Sequence, residues 1–170
     1  MTLLSILEVP DARLKAKASA VAVVDDDLRR FMDDMLETMY AAPGIGLAAP
    51  QVGVLRRVIV LDVARERETP APMRLVNPEI LWESEEKTIQ EEGCLSLPEQ
   101  YAEVRRPAAV KVSYLDEQGV AREVEAEGLL ARCLQHEIDH LNGILFTDHI
   151  SALKRNMILR KLAKAQKLRA

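Results

Sequence analysis

The stretch Gln135-His136-Glu137-Ile138-Asp139-His140 constrains this chain more than any other. Read as a helix, it sets His136 and His140 four residues apart, one turn up the same face. Two imidazoles at that spacing can share one metal ion, and Glu137 can reach a water beside that ion. This is the His-Glu-x-x-His pattern of zinc-type hydrolases. The chain has only three histidines, and two of them fall in this register. Leu129, Leu130, Leu134, Ile138 and Leu141 surround the pattern on several faces, which predicts a buried helix and not a solvated polar turn.

The remaining sequence supplies a shell for that helix. Met1 to Val9 is apolar and reads as a short strand or a packed arm. Pro10 to Leu14 reads as a turn into a short helix. Asp25-Asp26-Asp27 places carboxylates at a helix start, where they meet free N–H groups and the dipole. Leu28, Phe31, Met32, Met35, Leu36 and Met39 then recur at helical spacing, a core stripe that ends before Pro43-Gly44. Gly44 to Gln51 lacks the Gly-Lys-Ser/Thr ending of a phosphate loop, and its small residues let backbone lie close to something else. Arg57 to Asp62 and Met73 to Trp82 read as strands, the second interrupted at Asn77-Pro78. Ala109–Asp116 and Val120–Glu127 alternate around Glu117-Gln118-Gly119, a hairpin signal. Gly128 opens the metal helix and Gly143 closes it. Ser151 to Ala170 reads as a last helix with Leu153, Met157, Leu162 and Leu168 as its apolar side. The expected fold is α+β: short antiparallel β-sheets around a central metal-binding helix, in one domain over residues 1–170.

Charge is segregated. Residues 151–170 contain Lys154, Arg155, Arg160, Lys161, Lys164, Lys167 and Arg169 and no acid. The other 16 of 23 basic residues and all 27 acidic ones precede them, so the body is −11 and the tail +7. A basic tail on an acidic body points to an anionic partner. No apolar run spans a membrane, and no signal-peptide pattern opens the chain. Two cysteines are too few for a disulfide framework and suit a reducing, cytoplasmic setting.

A catalytic site keeps three protein ligands and an open position. No Glu follows Glu137, which removes the thermolysin-like third ligand. A metzincin needs a histidine ten positions after the first, where Phe146 stands. Asp148 and His149 are out of register and read better as surface residues at a helix start. Cys133 lies one turn before His136 and reads better as a small residue lining the site. Cys94 follows a glycine in a loop free to approach the metal, which favours Cys94, His136 and His140.

Gly44-Ile45-Gly46-Leu47-Ala48-Ala49-Pro50-Gln51, Glu92-Gly93-Cys94-Leu95-Ser96 and Gln135-His136-Glu137-Ile138-Asp139-His140 resemble the three signature motifs of bacterial peptide deformylases, in the family's order and over essentially the whole chain. The resemblance implies removal of the formyl group from N-formylmethionyl peptides at the ribosome. It implies Cys94, His136 and His140 as ligands of Fe²⁺, with zinc, nickel or cobalt replacing it in preparations. A metal-held water would attack the formyl carbon, Glu137 serving as general base and then acid. Gln51 and the Leu95 N–H would donate to the formyl oxygen. Gly44, Ile45, Gly46 and Glu92 would border the peptide, and Leu129, Cys133 and His136 would line the methionine pocket. Tyr101 stands where some relatives carry arginine. Arg132 replaces an aliphatic residue of some relatives, its stem walling the pocket and its charge reaching water. Asp139 would partner Arg105 or Arg106, or stay exposed. A related aminopeptidase, and a ribosome-binding protein that keeps only a structural metal, are the competing readings. Glu137 and Gln51, neither needed to hold a metal, argue against the second. The basic tail implies docking on the large ribosomal subunit near the exit tunnel; no DNA or membrane partner is expected.

Overall fold

The computed structural model describes residues 2–170. Helix α1 spans Asp26–Ala41, and Asp25 caps it by accepting from the Leu28 N–H at 2.8 Å. Strand β1 is Gly46–Ala48, β2 Val58–Leu61, β3 Met73–Glu83, β6 Ala109–Leu115 and β7 Ala121–Glu127. They form one antiparallel sheet in the order β1-β2-β3-β6-β7. Strand β4, Lys87–Cys94, pairs with β5, Leu97–Pro107, as a separate two-stranded hairpin. Helix α2 is Gly128–Leu141 and α3 is Ala152–Arg169.

The four apolar residues of β2 are all buried because both faces of the sheet are covered. Alternate residues point opposite ways. Val58 and Val60 meet Leu28, Met32, Met35 and Met39 of α1, whereas Ile59 and Leu61 meet Leu134, Ile138 and Leu141 of α2. A third cluster joins Val9, Leu14, Leu97, Val104 and Phe146 to Ile158 and Leu162 of α3.

Several expectations need correction. Of the two readings of the N-terminal segment, the packed arm holds and the strand does not; its first residue, Met1, lies outside the described residues. Leu7 N–H donates to the Gln51 carbonyl at 2.7 Å and Val9 N–H to that of Ser96 at 3.0 Å. Gly46–Ala48, where the sequence shows no strand pattern, is a short edge strand. Asn77 and Pro78 do not interrupt β3; they make a register shift, with Asn77 at φ +50° and its side chain tied to the Val21 backbone. On α3, only Leu162 of the four expected residues is buried. Leu153, Met157 and Leu168 face solvent, and Ile158 and Leu162 dock the helix, with Leu159 beside them. The expected stripe mixed spacings of four, five and six, which a helix does not place on one side; 158, 159 and 162 do lie together.

Candidate metal centre

Helix α2 is buried along most of its length. His136, His140 and Glu137 are all buried, among Cys133, Leu134, Ile138 and Leu141. The helix ends where Gly143 adopts φ +73°, a position where a Cβ would stand 2.4 Å from the Lys15 carbonyl oxygen. Only glycine lets the chain leave the helix there. Arg57 donates to the freed Leu141 carbonyl at 3.0 Å and to Asn142 at 3.1 Å.

Cys94 is the last residue of β4. It sits at the hairpin's register shift, after Gly93 has paired with Tyr101 and before the chain turns back at Leu97. The sequence reading of this segment as a loop is therefore corrected to a strand end. The Cys94 Sγ lies 3.3 Å from His140 Nε2. Donor atoms of Cys94, His136 and His140 all fall within 4.8 Å of one another. One thiol and two imidazoles are the donor chemistry of a divalent transition ion. Glu92 Oε1 lies 2.9 Å from His136 Nδ1, which leaves the ring's other nitrogen for an ion. The residues present thus fit a single metal.

Burial alone would push the Glu92 carboxyl up. Hydrogen bonds from His136 and Arg106 outweigh it and hold the group well below the usual carboxylate range. Arg106 grips both Glu92 oxygens, at 2.6 and 2.9 Å, and reaches Asp139 at 2.9 Å. His149 Nε2 meets the same Asp139 oxygen at 2.8 Å. Asp139 therefore partners Arg106 and not Arg105, and is not a free surface carboxylate. Asp148 caps the Leu145 N–H at 2.9 Å, and neither it nor His149 joins the three-donor cluster.

Glu137 has the opposite surroundings. Burial raises its pKa to about 7, and its Oε1 is buried with no partner among the described residues. A Cβ on Gly46 would lie 2.5 Å from Glu137 Oε2 and 2.9 Å from Cys133 Sγ, so β1 packs against this carboxylate only as glycine. Gln51 is held by its own carbonyl, which accepts from the Ala48 N–H at 2.9 Å. Its Nε2 then points at Ser96 Oγ, 3.1 Å, and Cys94 Sγ, 3.4 Å. Burial pushes the Cys133 thiol up, which disfavours a thiolate there.

These groups open on a cleft of about 750 Å³, lined by Gly44, Ile45, Gly46, Gln51, Cys94, Leu95, Leu129, Cys133 and Glu137 among others. The exposed Leu129 and Tyr101 stand at its margin. Glu92 also borders it, but its carboxylate is wholly engaged inside. Arg132 departs most from expectation. Its guanidinium does not reach water; it is buried and bonds Glu92, Val104 and Thr88. A cation in the apolar run Leu129-Leu130-Ala131-Arg132-Cys133-Leu134 required a buried carboxylate, and that signal was present in the sequence. Ser96, by contrast, carried no signal of its own.

A Cys-His-His cluster with an ionisable carboxyl beside it, on a buried helix inside an α+β shell, defines a metal-dependent hydrolase. A family profile described as polypeptide deformylase matches residues 3–156. The peptide deformylase of Methylocella silvestris is 62% identical over all of this chain and 88% of its own length. That of Rhizobium meliloti is 56% identical over 99% of this chain and 97% of its own length. The crystal structure of peptide deformylase from Ehrlichia chaffeensis superposes with a TM-score of 0.94 at 43% identity, covering 98% of each chain. The chain belongs to the polypeptide deformylase family. Its reaction is removal of the N-formyl group from nascent peptides, a metal-dependent hydrolysis. Among the described residues, no helix is long and apolar enough to cross a membrane.

Proposed function

We propose that Cys94, His136 and His140 hold one Fe²⁺ and that Glu137 carries the proton in deformylation of N-formylmethionyl peptides. The carrying observation is the buried, unpartnered Oε1 of Glu137 beside the three converging donors. When bound, the ion supplies a Lewis acid and lowers the pKa of a water beside it. Glu137 removes the proton from the water that attacks the formyl carbon and returns it to the leaving amine nitrogen. A carboxyl titrating near 7 serves both transfers at neutral pH. Gln51 Nε2 and the Leu95 N–H donate to the formyl oxygen as negative charge grows on it. Gly44, Ile45, Gly46 and the backbone at Glu92 border the peptide. Leu129 and Cys133 line the pocket for the methionine side chain.

Residues 1–170 act as one catalytic unit in the cytoplasm. The exposed cations Lys154, Arg160, Lys161, Lys164 and Lys167 of α3 dock it on the large ribosomal subunit near the exit tunnel. The test of the chemistry is metal analysis of anaerobically purified protein paired with hydrolysis of matched formylated and free peptides. One iron per chain and strict dependence on the formyl group are expected. Cleavage of unformylated peptides overturns the reading.

A further inference from the structure

The three donors belong to two different parts of the core. Cys94 packs with the cluster of Leu97, Val104 and Phe146, whereas the helix of His136 and His140 is anchored in the sheet cluster through Ala131, Cys133 and Leu134. Between these parts runs a buried polar seam. Glu92 Oε2 accepts from Arg106 Nε and, at 2.5 Å, from Arg132 Nη1. Arg132 Nη1 also donates to the Val104 carbonyl at 2.9 Å, and Nη2 to the Thr88 carbonyl at 3.0 Å and hydroxyl at 3.1 Å. One guanidinium on α2, one turn before His136, therefore grips both strands of the hairpin that ends in Cys94. Arg106 and Arg132 face Glu92 and Asp139, so these four charges balance. A buried pair lacking such balance would be costly.

We infer that Arg132 is a positioning residue of the metal site. Its fork sets the separation between the Cys94 hairpin and the histidine helix, and it fixes Glu92 so that Oε1 meets His136. The inference rests on Cys94, His136 and His140 being the ligands. A lysine at this position keeps the charge but not the planar fork that holds a carboxylate and three further acceptors at once.

The test loads the full-length parent, Arg132→Lys and Arg132→Met with Co²⁺. Affinity is measured by competition with a chelator, and the cysteine-to-cobalt charge-transfer band is recorded. Folded Arg132→Met is expected to bind Co²⁺ about tenfold or more weakly, the scale of outer-layer partners of metal ligands. Its charge-transfer band should move, and kcat should fall more than KM rises. Arg132→Lys should fall between it and the parent. A role confined to stability would lower Tm and leave the band and affinity of the folded protein alone. Folded Arg132→Met with the parent's affinity and band overturns the inference. If Arg132→Met does not fold, the same parent-like values in Arg132→Lys overturn it. Failure of the underlying ligand assignment looks different: Cys94→Ser would then keep the parent's charge-transfer band.

Discussion

Helices α2 and α3 are built on opposite terms. Ten of the fourteen residues of α2 are buried, including Gln135 and Arg132, which find partners inside, and His136, Glu137 and His140, which converge on the cleft. Of the eighteen residues of α3, only Ile158 and Leu162 are buried, and six of its seven cations are exposed. The seventh, Arg155, is half-buried, and Arg169, though exposed, pairs with Glu8 at 2.7 Å. A buried polar helix carries chemistry, because low dielectric makes every charge on it count. A thinly docked basic helix carries an address, because its charge is spent on solvent and on whatever anion meets it.

Breaking the α2 side should cost everything. Cys94→Ala, His136→Ala and His140→Ala are each expected to lose bound metal and all detectable deformylation, measured by elemental analysis and formyl-peptide turnover. Cys133→Ser should keep one metal per chain. A folded but metal-free Cys133→Ser would reassign the third ligand. Glu137→Gln should keep the metal and lose turnover by at least about 10³-fold, since it removes a proton carrier and no ligand. Gly46→Ala separates position from chemistry: its Cβ must displace Glu137, and a misplacement of about 1 Å costs roughly 10²-fold in kcat with metal content unchanged. Gln51→Ala should lower kcat by roughly 10²-fold if its amide meets the developing oxyanion. An unchanged kcat removes Gln51 from that role. The smallest effect belongs to α3. Reversing Arg160, Lys161, Lys164 and Lys167 to Glu should leave hydrolysis of short formyl peptides intact while co-sedimentation with ribosomes falls. The parent's own binding should weaken steeply with salt. A reversed variant that pellets like the parent would break the contrast between the two helices.

The same contrast explains what could be read beforehand. The His136–His140 register, the Asp25 cap and the Met32–Met35–Met39 stripe are local patterns, and each appears where expected. Two ligands were legible for that reason. Cys94 was reached by excluding other residues and through resemblance, and its strand was missed. Lys87–Cys94 is mostly polar and exposed, and in its partner β5 burial alternates while the residue types do not follow it, with Tyr101 exposed and Arg106 buried, so neither sequence reads as a strand. Arg106 and Arg132 meet Glu92 across 14 and 40 residues of chain, and no periodicity reports such a pairing. The docking face of α3 was misread because Leu153 and Leu168 looked apolar in composition while standing off the line of Ile158 and Leu162.

The arm and α3 also impose an order on folding. Gln166 Nε2 donates to the Val9 carbonyl at 2.6 Å, and these residues are 157 positions apart. The arm that α3 holds in this way is hydrogen-bonded to the backbone of Gln51 and Ser96, whose side chains meet at 3.1 Å beside the cleft. Closing so long a loop adds little entropy cost over a moderate one, but contacts of such separation slow folding. During vectorial synthesis residue 9 leaves the tunnel early and waits for nearly the entire chain to follow. The sheet and α1 can collapse meanwhile from nearer neighbours. The floor beneath Gln51 and Ser96 is sealed last, when the C-terminal helix arrives to pin it.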